Sequence, residues 1–338
     1  MTVLVTGGAG YIGSHAVKAL AADGRDVCVV DNLSAGHAEA VRRVARRFPS
    51  RQVRLVECDI ADRGRVAQAI RASGATAVMH FAAKLSVAES VREPMAYFRT
   101  NVGGTLALLE AVGECGVSMF VFSSTAATFG EPERTPIDET HPQRPINPYG
   151  ESKLVVERSL GHLERSTGLR SVIFRYFNAA GADPAGDLGE DHQPEEHLVP
   201  RAIEAALGGE PLQIFGDDYP TPDGTCVRDF VHVTDLAAAH LAGLRRLEGG
   251  GASGAYNLGM GDGVSVRQVV DTVAGVVGRP VPHVVGPRRP GDPSRLVASN
   301  TKARVELGWE PAFGALETIV RTAHAWRVAH PQGYGPAA

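Results

Sequence analysis

The chain predicts an α/β fold: a doubly wound parallel sheet followed by a smaller mixed α/β C-terminal region. Three observations carry that expectation. Apolar runs of strand length alternate with helical stretches through the first half. A glycine-rich turn joins the first run to the first helical stretch. After Asn178 the alternation gives way to a stretch rich in Gly, Pro and Asp, and then to short mixed elements.

Thr2–Thr6 (TVLVT) has the character of a buried parallel strand. Glycines follow, then a helical stretch from Tyr11 to Ala22, ended by Asp23-Gly24. Val27–Val30 begins a second strand that closes on Asp31-Asn32. Val53–Glu57 leads through Cys58-Asp59-Ile60 into a helix over Ala61–Ala72. Ala77–Phe81 and Val117–Ser123 read as strands, Ser152–Arg165 as helix and Ser171–Tyr176 as strand. Residues 1–178 are thus placed in a first domain. Gly181–Pro194 is too long for a casual connection. Beyond it, strands at Leu212–Phe215 and Val227–Val231 mix with helices at Val199–Leu207, Thr234–Leu244, Val266–Val277 and Phe313–Ala329. Residues 179–338 are expected to form a second domain over the carboxyl edge of the sheet, with a segment around 226–245 returning to the first.

Bulk properties narrow the class. The 338 residues suffice for two domains with ample core, and 43% hydrophobic with 21% charged residues is ordinary for a soluble protein. A net charge of −4 gives no electrostatic footprint for nucleic acid or a membrane surface. The four cysteines (Cys28, Cys58, Cys115, Cys226) show no regular spacing and read as packing thiols. The twelve histidines show no His-x-x-x-His pattern, so no metal is expected. No signal peptide or membrane-spanning run fits, and a reducing cytoplasm is the expected address.

Thr6-Gly7-Gly8-Ala9-Gly10-Tyr11-Ile12-Gly13 places glycines at 7, 10 and 13, between a strand and a helix. Gly7 permits the sharp turn, Gly10 lets a pyrophosphate approach the backbone, and Gly13 lets helix pack on strand. The helix N-terminus offers N–H groups to the phosphates. This is a Rossmann-like dinucleotide site. Asp31 follows the second strand, where a carboxylate binds ribose hydroxyls and repels a 2′-phosphate, so NAD is favoured over NADP. Asp59 serves equally well as a cofactor contact or as a cap for the next helix.

Tyr149 and Lys153 stand four residues apart, on one face if their segment is helical. A free phenol titrates near ~10 and is a poor base at neutral pH unless its anion is stabilised. A nearby ammonium supplies that stabilisation. Only four lysines occur (Lys18, Lys84, Lys153, Lys302) among 34 basic residues, which favours a site needing a compact ammonium. By spacing alone the default reading of the pair is a packed ring beside a solvated amine. The dinucleotide turn favours a proton acceptor beside bound NAD.

With these pieces in place the chain resembles the extended short-chain dehydrogenase/reductase family, nearest its UDP-sugar 4-epimerase branch. The likeness runs almost end to end. It includes VTGGAGYIGSH (Val5–His15), VDN (Val30–Asn32), HFAA (His80–Ala83), ESV (Glu89–Val91), NVGGT (Asn101–Thr105), FSSTAATFG (Phe122–Gly130) and PYGESK (Pro148–Lys153). It continues through RYFNAAGADP (Arg175–Pro184), IFGDDYPTPDGTCVRDFVHV (Ile214–Val233), YNLG (Tyr256–Gly259), RRPGD (Arg288–Asp292) and HPQGY (His330–Tyr334).

The resemblance implies that Tyr149 is the base on the sugar 4-hydroxyl, with Lys153 on the nicotinamide ribose and Thr125 bridging the substrate hydroxyl and Tyr149. It places tightly held NAD against Tyr11, Ile12, Asp31, Asn32, Asp59, Ile60, Phe81, Ala82, Lys84, Asn101 and Phe177. UDP contacts fall on Asn178, His197, Leu198, Gln213, Ile214, Phe215, Arg228, Arg289 and Asp292. The implied activity interconverts UDP-glucose and UDP-galactose through oxidation at C4, turning of the keto sugar and hydride return. The implied assembly is a homodimer built on two helices of the first domain, one carrying Tyr149.

Two departures bear on specificity. His197 replaces an asparagine of some relatives. Leu296 stands where some carry tyrosine at the sugar's edge, which opens room for an N-acetyl group. Thr125 is followed by Ala126-Ala127 rather than the Asp-Glu pair of 4,6-dehydratases, so elimination is disfavoured. A 4-epimerase for UDP-xylose or UDP-glucuronate, a non-catalytic NAD-sensing regulator and a dehydrogenase with exchanging cofactor remain the alternatives.

Overall fold

The valine-rich runs form the centre of a seven-stranded sheet. In a computed structural model describing residues 1–289 and 292–335, β1 (Thr2–Thr6), β2 (Asp26–Asp31), β3 (Val53–Glu57), β4 (Ala75–His80), β5 (Met119–Thr125), β6 (Arg170–Tyr176) and β11 (Gly254–Leu258) pair in the order β11-β6-β5-β4-β1-β2-β3. Every pairing in it is parallel. The first-domain helices are α1 (Tyr11–Ala22), α2 (Ala38–Arg47), α3 (Arg63–Ser73), α4 (Val87–Arg92), α5 (Pro94–Tyr97), α6 (Thr105–Glu114) and α7 (Pro148–Thr167). A π-helical turn at Phe98–Gly104 precedes α6, and a 3₁₀ turn at Ala126–Thr128 follows β5.

Alternation along each strand sends side chains to two helical layers. Val3, Val5, Val27 and Val29 pack with Ala16, Val17 and Leu20 of α1. Leu4, Cys28, Val30, Val78, Phe120 and Phe122 pack with Val66 and Ile70 of α3, Leu108 and Val112 of α6 and Val156 and Leu160 of α7. Burying each such side chain contributes roughly 1.5–3 kcal/mol, so this two-sided core fixes the strand ends to which the site is attached.

The C-terminal part comprises β7 (Asn178–Ala180), α8 (Leu198–Ala206), β8 (Leu212–Phe215), β9 (Val227–Arg228), β10 (Phe230–His232), α9 (Val233–Glu248), β12 (Val264–Ser265), α10 (Val266–Val277), β13 (His283–Gly286), β14 (Arg295–Leu296), α11 (Thr301–Leu307) and α12 (Leu316–Ala329). Its core lies among α8, α10 and α12, on Val199, Ile203, Val269, Val273, Ile319 and Val320. α9 packs on α1 and β11 completes the large sheet, so both belong spatially with the first half.

Three of the boundaries that differ from the sequence expectation have a visible cause. The run expected as one strand at Val227–Val231 is split at Asp229, whose buried carboxylate accepts the N–H groups of Met260, Gly261 and Ala298. Phe313 precedes α12 rather than starting it, because its N–H and that of Ala312 are held by Asp235 of α9. α3 starts after Asp62, whose side chain caps it through the Arg65 N–H; Asp59 is not the cap.

The Gly181–Pro194 stretch is tied to the first half at several points. Tyr11 donates its hydroxyl to the Gly181 carbonyl at 2.6 Å, Lys18 pairs with Asp183 and Asp187, and His37 Nε2 meets the Asp191 carbonyl at 2.9 Å. Trp326 Nε1 donates to the Glu190 carbonyl from the other side. All four cysteines are free thiols. Among the described residues, no helix is long and apolar enough to cross a membrane.

Candidate active site

The glycine turn has the geometry its spacing implies. Gly7 sits at φ +70°, and a Cβ there would lie 2.4 Å from the Ala82 nitrogen, so the turn rests directly on the chain leaving β4. A Cβ on Gly13 would lie 2.1 Å from the Gly7 carbonyl oxygen. At Gly10 the nearest atom would be Gly7 O at 3.4 Å, which leaves its Cβ side open. No side chain caps α1 at Gly10. Its first-turn N–H groups therefore suit an anion, and the residues fit a dinucleotide pyrophosphate.

Asp31 ends β2 with one carboxylate oxygen accepting from Ala9 N and the other from Leu33 N, both at 2.9 Å. Burial raises its pKa, while the two N–H donors oppose that rise. Each oxygen retains a lone pair for a ribose hydroxyl. Asn32 donates to Asp59 at 2.9 Å, joining the ends of β2 and β3, and Ile60 is buried beside them. Phe81 and Ala82 leave β4 with both N–H groups on the Thr6 carbonyl.

Two expected contacts are committed to protein partners. Asn101, 2% exposed, accepts from Lys84 N and donates to Lys84 O and Ser152 Oγ. It ties the Lys84 loop to α7. The Lys84 ammonium pairs with Glu89 at 2.9 Å, and Glu89 also accepts from the Tyr97 hydroxyl.

Tyr149 and Lys153 lie in the first two turns of α7, which starts at Pro148 behind an Asn147 cap. Gly150 brings that helix against the turn after β5: a Cβ there would lie 2.4 Å from the Ala127 carbonyl oxygen. Thr125, at the carboxyl end of β5, accepts from Ala127 N. Burial raises the Tyr149 pKa, and a hydrogen bond from the Thr125 hydroxyl draws it back. The Tyr97 ring meets Tyr149 edge-on at 6.4 Å. Lys153 is 4% exposed and donates to the Ser123 carbonyl at 2.9 Å. Burial brings its pKa down to about 7, opposed by Glu157.

Sequence reading missed the support beneath this pair. Glu157, one turn past Lys153, is held by Arg175 through Nε at 3.1 Å and Nη2 at 2.7 Å and by Gln143 at 3.0 Å. The four-residue Lys153–Glu157 spacing was its visible signal. His80 was also missed. It joins Thr6 to Thr105 under the cofactor turn, and burial lowers its pKa to about 3.

Around the expected sugar position, Leu296 and Phe177 pack against Ala126, Phe129 and Ile137. Leu296 also pairs in register with Arg228, which forms an ion pair with Asp292. Asn178 donates to the Asp229 carbonyl at 2.8 Å. Gln213, Ile214 and Phe215 form β8, and the Arg289 guanidinium lies 3.7 Å over the Phe215 ring. Pro290 and Gly291 of the RRPGD block lie outside the described residues. His197 and Leu198 start α8. His197 does not stand alone: it meets Glu190 and Glu195, which also meet His192. This convergence escapes the His-x-x-x-His pattern because its histidines are five residues apart.

The chain matches the family model described as "NAD dependent epimerase/dehydratase family" over residues 3–259. A UDP-glucose 4-epimerase of Lacticaseibacillus casei is 48% identical over 336 residues, covering 99% of both chains. The crystal structure of a UDP-glucose 4-epimerase from Brucella ovis in complex with NAD superposes with a TM-score of 0.91 at 47% identity, covering 96% of this chain and 97% of that one. That of a UDP-glucose 4-epimerase from Bifidobacterium longum in complex with NAD+ and UDP gives 0.93 at 36% identity, covering 98% and 100%. By full-length sequence and by fold, the chain belongs to the NAD-dependent epimerase/dehydratase family.

Proposed function

We propose that the protein is an NAD-dependent isomerase that interconverts UDP-glucose and UDP-galactose at C4 of the hexose. The observation that supports this best is Tyr149, set at the start of α7 against the Thr125 turn, with Lys153 buried one turn below. NAD, when bound, supplies the hydride acceptor and donor that oxidation and reduction at C4 require. The glycine turn and the start of α1 bind its pyrophosphate, and Asp31 binds a ribose.

Tyr149, as the phenolate, takes the proton of the sugar 4-hydroxyl at its oxygen and later returns it. Thr125 orients that hydroxyl and shares a hydrogen bond with the phenol. Lys153 holds a positive charge that stabilises the phenolate before that proton is taken up and again once it is returned. Inversion requires the sugar to present both faces to one base, so the nucleotide must stay anchored while the hexose turns. Arg228 and Arg289 suit the pyrophosphate, since guanidinium forks match phosphate oxygens. The Leu296–Phe177 wall is apolar and gives the turning sugar few polar contacts to hold it in one pose. Leu296 in place of a larger ring leaves space for an N-acetyl group, and UDP-N-acetylhexosamines belong among the substrates tested.

A cytoplasmic homodimer assembled through two helices of the first domain, one of them α7, accords with the resemblance. Sedimentation of the purified protein checks the assembly. The decisive assay incubates the protein with UDP-glucose, UDP-galactose, their N-acetyl analogues, UDP-xylose and UDP-glucuronate, without added NAD, and resolves products by chromatography. Interconversion of the glucose and galactose pair is expected. Release of a 4-keto-6-deoxy product, or no turnover of either hexose, overturns the reading.

A further inference from the structure

Four potential metal ligands lie within eight residues, where the strap between the two halves enters α8. Glu190, His192, Glu195 and His197 each offer one ligand atom, and these atoms all lie within 4.8 Å of one another. His197 Nδ1 is 2.8 Å from Glu190 Oε1 and 3.0 Å from Glu195 Oε1. His192 Nδ1 is 3.1 Å from Glu190 Oε1 and 3.7 Å from Glu195 Oε2. Tetrahedral zinc with bonds of about 2.0–2.1 Å to nitrogen and oxygen needs neighbouring ligand atoms roughly 3.3 Å apart. The four separations straddle that edge length.

Two further observations favour an ion over a solvated charge cluster. Glu190, Glu195 and His192 are only 7%, 9% and 15% exposed, with His197 at the rim at 42%, so the carboxylates are withdrawn from bulk water. A cavity of about 30 Å³, the share of one water molecule, is lined by Glu190, His192 and Glu195 together with Gly181. It leaves space for an ion beside the carboxylates. The backbone is also held before any ion binds. Trp326 Nε1 fixes the Glu190 carbonyl, while His37 and the Tyr334 N–H hold Asp191 from the cofactor side.

We propose that this cluster is a binding site for a divalent transition cation of the zinc class, away from Tyr149 and Lys153 but sharing His197 with the expected nucleotide contacts. Mixed imidazole and carboxylate donors suit zinc better than calcium or magnesium, which take oxygen ligands alone. The ion's place in the fold defines its role. His192 meets the Tyr11 ring edge-on at 6.2 Å, and His197 is the cap residue of α8. An ion here locks the cofactor turn to the start of the helix expected to touch the nucleotide.

The full-length protein, purified with its cofactor and stripped of metals by a chelator, is titrated with zinc chloride, and bound zinc is counted by atomic emission. One saturable zinc per chain is expected. His192→Ala and Glu195→Gln each lower the affinity by at least about tenfold. Glu196→Gln leaves it unchanged, since that neighbouring carboxylate accepts from Ser86 instead. Cobalt substitution of the unaltered protein gives a second readout that needs no variant: visible absorption of a tetrahedral nitrogen and oxygen site. Absence of saturable zinc binding, binding indifferent to both variants, or a cobalt spectrum of the hydrated ion overturns the site. UDP-sugar turnover measured in parallel keeps this outcome separate from that of the proposed reaction.

Discussion

Gly13→Ala and Gly10→Ala separate the two tasks of the cofactor turn. A methyl on Gly13 is forced to 2.1 Å from the Gly7 carbonyl oxygen and 2.9 Å from the Gly8 Cα, where ordinary contact begins at 3.4 Å. Both obstacles are backbone, so no side chain can swing aside. Replacing a helical glycine gains about 1 kcal/mol of propensity, whereas overpacking costs about 1–3 kcal/mol. A 2.1 Å contact with rigid backbone belongs at the upper end of that cost, so the clash wins by about 2 kcal/mol, a loss of a few degrees in Tm. Gly10 behaves differently. Its backbone (φ −80°, ψ 176°) suits any residue, and the added methyl meets only Gly7 O at 3.4 Å. Stability should stay within about 0.5 kcal/mol, but the methyl occupies the open side at the start of α1 and blocks phosphate oxygens from reaching the N–H groups at ~2.9 Å. The assay is thermal unfolding after nucleotide removal, which strips out ligand stabilisation, together with NAD retained per chain on purification. Gly13→Ala should lose Tm and NAD, and Gly10→Ala should lose NAD alone. Wild-type NAD content in Gly10→Ala, or an unchanged Tm in Gly13→Ala, refutes the account of the turn.

Tyr149→Phe should fold, retain NAD and lose turnover by about 10²- to 10⁴-fold; undiminished turnover removes Tyr149 as the base. Lys153 titrates near 7 in the fold against 10.5 when free, so between these values the unfolded chain binds the extra proton and stability rises with pH. Unfolding of the NAD-free wild type and of Lys153→Met, compared from pH 7.5 to 9.5 (about the middle of that window), should diverge in favour of wild type by up to about 1.4 kcal/mol per pH unit. Parallel curves would mean that Lys153 is charged in the fold. Arg175→Met strands the buried Glu157 carboxylate and should cost about 3–5 kcal/mol in chemical denaturation; a loss under about 1 kcal/mol means that its other donors, the Ser124 hydroxyl and Gln143, suffice.

The parallel sheet was legible because its strands are short valine-rich runs separated by helical stretches. β11 was not. Gly254–Leu258 opens on glycine, carries Asn257 near its end and follows a long stretch of C-terminal chain, so nothing local ties it to β6. Local chemistry did fix α10, whose Ser265–Gln268 capping box and Gly278 stop match the sequence bounds. The glycine turn and the Tyr149–Lys153 spacing were equally legible, since each depends on residues a few positions apart. The partners that commit Asn101 come from other elements and follow from tertiary packing. Lys84 and His197 meet carboxylates two to seven residues away in sequence, but a motif names the residue without its partner.

The resting charges around Tyr149 explain why Glu157 and Arg175 are needed below it. Burial drives the phenol up and the Lys153 ammonium down, so each tends toward its neutral form. An unpaired carboxylate one turn beneath Lys153 would reverse the second trend, but it would also draw the ammonium down the helix, away from Tyr149. Arg175 prevents that by occupying Glu157 with two donors, leaving a weakened field that still favours a charged Lys153. The ammonium is anchored instead at the Ser123 carbonyl on β5, with the Phe122 ring 5.1 Å away. That anchor lies two residues before Thr125 on the same strand. The lysine is therefore positioned by the sheet that carries the threonine, and the tyrosine by the helix packed on it. A change that shifts α7 against β5 must disturb all three at once, and Gly150, where α7 meets the turn after β5, admits no side chain.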